Sequence, residues 1–483
     1  MDRLTASASD LFTTTLTWTR RWFDPSCSLV WNPSADGFGR TRAVHLVPNS
    51  ARFAYGLLAT GDGEDERTAI SIIERLISLQ YGLDGGPAAG TYRIVLEAPD
   101  LPRHPRMWTD YDPNWRQFVG TVFALMLEDF ADRLPASLAE RMTESIRKAV
   151  VGEPVDRLTP GYTNPALLRA WLDTWTGLRL DDAALVERGQ TFAHQIVEEF
   201  DRWSAFDEFN SPTYYGVDLV ALGLWRGVST TPLLAEQGER LEEQLWQHIA
   251  SYFNPTLRNF CGPYTRSYHP DATRSVAEVA LWIWGAFGRD VAPLPDLDAI
   301  EIHHSHDLMW GPVVARLVHP PASVAASAFR EASTRTLRQT LDGGREIDAR
   351  IEPGFMVGVE SSEHDWGGWD QFMPLVAHWR EENEQSVCVL ALENPRVVRG
   401  TIDDRRVGLE LPKGPVPVTF RLYAHSCRTS GRHLSTGTFG VTFAGLHDKT
   451  TIDLQVTPLE SDAWRVSVRD SGSANRLSLQ FGA

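Results

Sequence analysis

The feature that most constrains the fold is a change in hydrophobic period. From Ala43 to about Arg289 the apolar residues recur at three- and four-residue spacing, whereas after about Gly343 they alternate with polar ones. The first pattern gives a helix one buried stripe, and the second gives a strand one buried face. The chain therefore divides into two parts of different secondary structure.

The helical segments run from Val44 to Ala59, Glu64 to Gln80, Trp115 to Ala131, Ser137 to Val150, Asn164 to Thr176, Asp181 to Phe200, Tyr215 to Trp225, Leu233 to Tyr252 and Ala272 to Phe287. With an N-terminal helix in Met1 to Trp22 and others after Pro293, roughly ten to twelve are expected. Their connections alternate between tight turns, such as Gly61-Asp62-Gly63, and long polar and aromatic stretches: Arg103 to Trp115, Thr159 to Asn164, Phe206 to Gly216 and Asn259 to Asp271. Helical hairpins arranged in a ring produce that alternation, with the long loops sharing one face. An open stack of hairpins has the same helix count, but no self-similar period is present. Beyond the boundary, placed between Ala322 and Arg345, short segments rich in Val, Thr and Phe are separated by turn residues, as in an antiparallel sandwich. The expected fold is α+β and multidomain: an (α/α) toroid of about five to six hairpins over 1–322, then an antiparallel β-sandwich over 345–483.

Composition narrows the function. The 483 residues carry 46 Lys+Arg against 63 Asp+Glu, a formal net charge of −17, with no basic run, which argues against a nucleic-acid partner. The four cysteines, Cys27, Cys261, Cys388 and Cys427, show neither a disulfide framework nor metal-ligand spacing. No apolar run is long enough for a membrane span, and Met1 to Trp22 lacks the charged start and apolar centre of a secretory leader, so a cytoplasmic location is expected. Nucleophile-elbow, Walker, dinucleotide and CxxC signatures are missing, and no cofactor is expected.

The chemistry concentrates in the long loops. Asn259 to Asp271 holds Tyr264, Arg266, Tyr268 and His269, a set able to neutralise a carboxylate and to move a proton beside it. The same residues would equally serve as helix-end packing, with Asp271 as an N-cap. Phe206 to Gly216 repeats the formula with Asp207, Glu208, Asn210, Tyr214 and Tyr215, although Asn210 and Ser211 also read as a cap. Trp108, Asp110, Asp112, Asn114 and Trp115 alternate acidic and aromatic groups, a lining that suits a saccharide, and Tyr162 and Asn164 extend it. Asp112 and Asn164 double as caps, and Trp115 doubles as core. His303-His304-Ser305-His306-Asp307 invites a metal, but the spacing fits no ligand motif, so His304 is assigned to substrate and no metal is expected. Trp366, in the polar stretch Glu360 to Gln371, is placed on a loop able to reach over the toroid.

A helical toroid with loops of this texture and a C-terminal sandwich resembles the (α/α) toroid polysaccharide lyases, including the chondroitin/hyaluronate, alginate and heparinase II/III-like groups. The resemblance covers nearly the whole chain as architecture. It implies Asn210, His269, Tyr264 or Tyr215, and Arg266, with Glu208 nearby, as the machinery of β-elimination on a uronic-acid-containing saccharide. Two other readings stand beside it: a glycoside hydrolase using carboxyls drawn from Asp110, Asp112 and Glu208, and a non-catalytic sugar-binding protein. Carboxyl separations of about 5–5.5 Å or about 6.5–9.5 Å would mark retaining or inverting hydrolysis.

Overall fold

The computed structural model describes residues 4–34, 44–84, 86–299, 302–321, 323–324, 326–363, 371–380, 387–394, 396–412, 418–445, 452–460, 463–470 and 476–482. The chain forms two compact units. The first comprises Met1–Phe206, Thr213–Trp246 and Arg274–Ser323, and the second comprises Asp207–Pro212, Gln247–Thr273 and Val324–Ala483. Part of the loop Phe206 to Gly216 and all of Asn259 to Asp271, both expected on the toroid, thus belong to the unit that carries the sandwich.

The helices are α1 Ala6–Arg20, α2 Val47–Thr60, α3 Gly63–Ser78, α4 Trp115–Phe130, α5 Ala136–Val151, α6 Thr163–Leu180, α7 Ala183–Trp203, α8 Tyr214–Gly227, α9 Pro232–Tyr252, α10 Glu278–Phe287 and α11 Gly311–Leu317. Burial sorts those of the first unit into two classes. α2, α4, α6, α8 and α10 are buried over nearly their whole circumference. α3, α5 and α7 bury a single stripe, such as Ala69, Ile72, Ile73 and Leu76 of α3. The buried class packs in order, α2 on α4, α4 on α6, α6 on α8 and α8 on α10, and α11 touches both α10 and α2, which closes a ring. Each large apolar side chain removed from water there contributes about 1.5–3 kcal/mol.

The hairpins explain how the ring aligns. α2 ends at Gly61, whose φ of 75° terminates the helix, and the Asp62 carboxylate then accepts the N–H groups of Glu64 and Asp65 to start α3. Because successive helices reverse direction, the inner helices run the same way and their N-termini share one end, the ring mouth. No described helix is long and apolar enough to cross a membrane.

In the second unit two antiparallel sheets enclose a core that includes Val357, Trp379, Leu390, Phe420, Phe443 and Leu479. One sheet has eight strands in the order Ile452–Glu460, Ala463–Asp470, Val418–Tyr423, Val387–Asn394, Leu375–Arg380, Phe355–Ser361, Glu346–Glu352 and Arg335–Thr340. The other has six, in the order Arg399–Asp403, Arg406–Glu410, Arg476–Gly482, Gly440–Gly445, His433–Ser435 and Arg428–Ser430.

Several expectations change. The helix read from Ala272 starts at Glu278, and the segments after Pro293 give a 3-10 turn, Ser305–Trp310, leading into α11. The edge strand Arg335–Thr340 precedes the expected start of the sandwich, because its sequence, RTLRQT, is too polar to register as a strand.

Candidate active site

Charged groups converge inside the first unit, at the ring mouth. Arg52 lies in α2, a helix otherwise nearly free of charge, and is 4% exposed. Its guanidinium lies 3.7 Å from the Trp310 ring centroid and 5.7 Å from that of Phe118. Burial pushes its pKa down to about 10, against the opposing pull of Glu278 and Asp307. Glu278 is the first residue of α10, and the N-cap Ala277 supplies no side-chain cap. A helix N-terminus favours a carboxylate by about 0.3–2 kcal/mol. Burial and the neighbouring Asp307 charge outweigh that and Arg52 together, and hold the Glu278 carboxyl well above its ordinary range.

Asp307 goes the other way. Burial pushes it up, but the His306 and His304 imidazoles and Arg52 prevail and keep it below the usual range. His304 Nδ1 stands 3.7 Å from Asp307 Oδ2, and His306 Nε2 stands 3.5 Å from Oδ1. The backbone of His304 is left-handed, with φ 50°, and the Asn49 amide donates to His306 O at 3.0 Å to fix the turn. Arg52 Nε and Ser305 Oγ have no hydrogen-bond partner among the described residues, and Glu278 is bonded only loosely, by Trp310 and Asp307. Buried polar atoms are nearly always paired, so such a group marks a place where a ligand or water completes the bonding. Two carboxyls driven in opposite directions are the raw material of acid–base chemistry.

The mouth continues along α4 and α6. Rings step from Trp310 to Phe118 at 6.2 Å and from Phe118 to Trp115 at 5.9 Å. Asn114 donates to the Tyr162 hydroxyl at 2.9 Å and accepts from Arg157 at 2.8 Å, while Glu153 holds Arg157 and the buried Arg116. Asp112 Oδ1 accepts the Asn114 N–H at 2.8 Å, which makes it a turn former. Asn164 is buried in the first turn of α6, and Trp115, 6% exposed, donates toward Ile94 O. On α8, Tyr214 is half-buried and Tyr215 buried. A Cβ on Gly216 would lie 2.3 Å from Glu278 Cβ, so α8 and α10 meet backbone to backbone beside the acid. Trp108 is 50% exposed, and Asp110 Oδ2 accepts the Arg106 N–H at 2.7 Å.

The remaining expected catalytic residues fall in the second unit, where their bonds give them structural roles. The Tyr264 phenol is buried, donates to Phe260 O at 2.5 Å, and is held far above its ordinary pKa chiefly by burial, which argues against the base role expected for it. The Asn210 amide donates to Cys261 O at 2.6 Å and Pro263 O at 2.8 Å, clamping the turn that contains the cis Gly262-Pro263 bond rather than presenting its N–H groups to a carboxylate. Arg266 pairs with buried Glu208 and donates to Gln371 Oε1 at 3.1 Å, so the expected carboxylate ligand already holds a carboxylate of its own chain. His269 Nδ1 accepts the Asp271 N–H at 3.0 Å, and its ring lies 4.6 Å from that of Tyr423. Tyr268 is half-buried in the same loop. Trp366 lies outside the described residues.

Sequence reasoning passed over Arg52 and Glu278 and gave Asp307 no catalytic role. The available signal was a lone charge in or at the head of an apolar helix: Arg52 within ARFAYGLLA and Glu278 before VALWIWGAF. His304, His306 and Asp307 offer metal-ligand atoms within 4.8 Å of one another. The fixed charge of Arg52, acting on both Asp307 and Glu278, competes with a cation at that point.

A family model described as "Domain of unknown function (DUF8769)" matches residues 9–319. No curated protein matches the chain. Similar solved structures include a Streptomyces coelicolor A3 chondroitin AC lyase in complex with chondroitin sulphate, at 12% identity, covering 100% of this chain and 80% of that one with a TM-score of 0.44. A heparinase III is 9% identical over 90% of this chain and 77% of its own, with a TM-score of 0.40. The Clostridium thermocellum endoglucanase CelQ, complexed with cellobiose and cellotriose, is 9% identical over 99% and 93%, with a TM-score of 0.28.

Proposed function

The chain belongs to the DUF8769 family, and from the residues at its ring mouth we propose that it is a carbohydrate-active enzyme cleaving a uronic-acid-containing saccharide by β-elimination. The observation that carries this reading is the buried charged group Arg52, Glu278, Asp307 and His304, with Arg52 Nε and Ser305 Oγ lacking a hydrogen-bond partner among the described residues, beside the aromatic run Trp310, Phe118 and Trp115. Sugar hydroxyls and a carboxylate supply the missing bonds, and flat rings receive the apolar faces of pyranoses.

The chemistry divides among named groups. Arg52 neutralises the substrate carboxylate and so acidifies the C5 proton. His304, oriented by Asp307, takes that proton as the C5–H bond breaks. The electron pair forms the C4–C5 double bond and expels the C4 oxygen, which receives the proton held by Glu278. Tyr215, at the head of α8, belongs to the same mouth. The texture of the sequence supports this reading, since it resembles toroid lyases.

A second reading has its own observation: the opposite shifts of Glu278 and Asp307 also suit a glycoside hydrolase. Incubation with a panel of uronate oligosaccharides separates the two, because elimination yields an unsaturated product that absorbs in the ultraviolet and hydrolysis does not. Glu278→Gln and Arg52→Ala should each lower the elimination rate by about 100-fold or more, in line with the loss of a general acid or a charge stabiliser. New reducing ends without ultraviolet absorbance would replace elimination with hydrolysis, and intact substrate throughout would remove both.

A further inference from the structure

A second cluster lies at the start of the first unit, outside the ring-mouth chemistry. Three short strands, β1 Phe23–Asp24, β2 Leu29–Trp31 and β3 His45–Leu46, form an antiparallel sheet, and β3 runs directly into α2. The His45 side chain is 6% exposed, and its ring lies 3.7 Å from that of Trp31, centroid to centroid. His45 Nδ1 is 2.5 Å from Glu97 Oε1, and the His45 backbone N–H donates to Glu97 Oε2 at 2.9 Å. Glu97 thus holds both the His45 backbone N–H and the Nδ1 side of its ring, which fixes the direction in which Nε2 points.

His45 Nε2 faces Asp24 Oδ2 at 3.2 Å. The other Asp24 oxygen already accepts the Ser26 N–H at 2.8 Å, so Oδ2 is the one directed at His45. A hydrogen bond between them would engage only His45 and Asp24. The site brings a third donor, since the ligand atoms of Asp24, Cys27 and His45 all lie within 4.8 Å of one another. One nitrogen, one oxygen and one sulfur are a zinc-type ligand set, and a carboxylate behind the far imidazole nitrogen is the usual companion of a ligating histidine.

We propose that Asp24, Cys27 and His45 bind a divalent ion of the zinc class, with solvent in the fourth position and Glu97 as a positioning residue. Binding displaces the Cys27 thiol proton to solvent, and the thiolate becomes the sulfur ligand. The ion ties the β1–β2 hairpin to the strand that leads into α2, the helix carrying Asn49 and Arg52.

The test is a cobalt(II) titration of the intact, chelator-treated protein, followed by absorbance, together with the zinc content of protein purified without chelator. One ion per chain is expected, with a sulfur-to-cobalt charge-transfer band in the near ultraviolet. Cys27→Ser should abolish that band, and Glu97→Gln should weaken affinity about 10- to 100-fold while the circular dichroism stays unchanged. Both substitutions are conservative and decide the matter even if His45→Ala does not fold. Three results would overturn the site: no stoichiometric metal, a charge-transfer band that persists in Cys27→Ser, or nitrogen NMR showing both His45 ring nitrogens protonated in the presence of cobalt's diamagnetic counterpart, zinc. None of these readouts depends on the ring-mouth reaction.

Discussion

At the ring mouth burial and the neighbouring Asp307 charge raise the Glu278 pKa on folding, so its pH dependence has a definite sign. Its folded pKa lies above the unfolded value, and stability is therefore complete below the free glutamate value of about 4.3 and declines as pH rises toward the folded value. Glu278→Gln removes that titration, so thermal melts across pH should show the variant gaining on the wild type as pH rises while it loses turnover. Glu242, raised by burial to about 7 although Arg226 donates to it at 2.7 Å, behaves alike. Glu242→Gln should relieve at most about 3–4 kcal/mol, gained between about pH 4.5 and 7, at about 1.4 kcal/mol per pH unit. Asp307 has the opposite sign, contributing above the free aspartate value and losing its contribution as pH falls through its lowered folded value. Tyr264 offers a contrast. Its loop was legible as polar and aromatic, but which way the phenol turned was not, because the acceptor is a backbone carbonyl that no side-chain pattern reveals. Tyr264→Phe should cost about 1–3 kcal/mol in denaturant melts, leaving Phe260 O short of a donor, with turnover within a few-fold of wild type.

Among elements, the decisive contact is that of α8 with α10. Gly216 lets the two helix starts touch where Glu278 begins, and any side chain there must push them apart. Gly216→Ala should destabilise by about 1–3 kcal/mol and lower turnover more than stability alone explains, as seen by comparing rates at temperatures where both proteins are folded. The helix classes were legible in part: α3, α5 and α7 announce themselves by a single apolar stripe. α10 is apolar all round, so periodicity could not find its first residue and ran the helix back to Ala272. The edge strand Arg335–Thr340 was missed for the opposite reason, since half its side chains face solvent and its inward ones are only partly covered.

For the whole molecule, the change of period past residue 340 was enough to separate a helical part from a sheet part, because burying a stripe and burying a face need different spacings. It could not assign residues 207–212 and 247–273 to the second unit. That assignment rests on bonds such as those from Asn210 to Cys261 and Pro263, which join distant positions without any local signature. Nor could spacing bring Arg52, Glu278 and Asp307 together, since only closure of the ring does so. The central claim is that a saccharide binds at this mouth, and its most direct measurement is a crystal structure of Glu278→Gln with a uronate oligosaccharide bound. The expected result is a sugar carboxylate on Arg52 with a pyranose ring along Trp310, Phe118 and Trp115. A saccharide held only at other residues, with Arg52 and Ser305 left as they are, would contradict it.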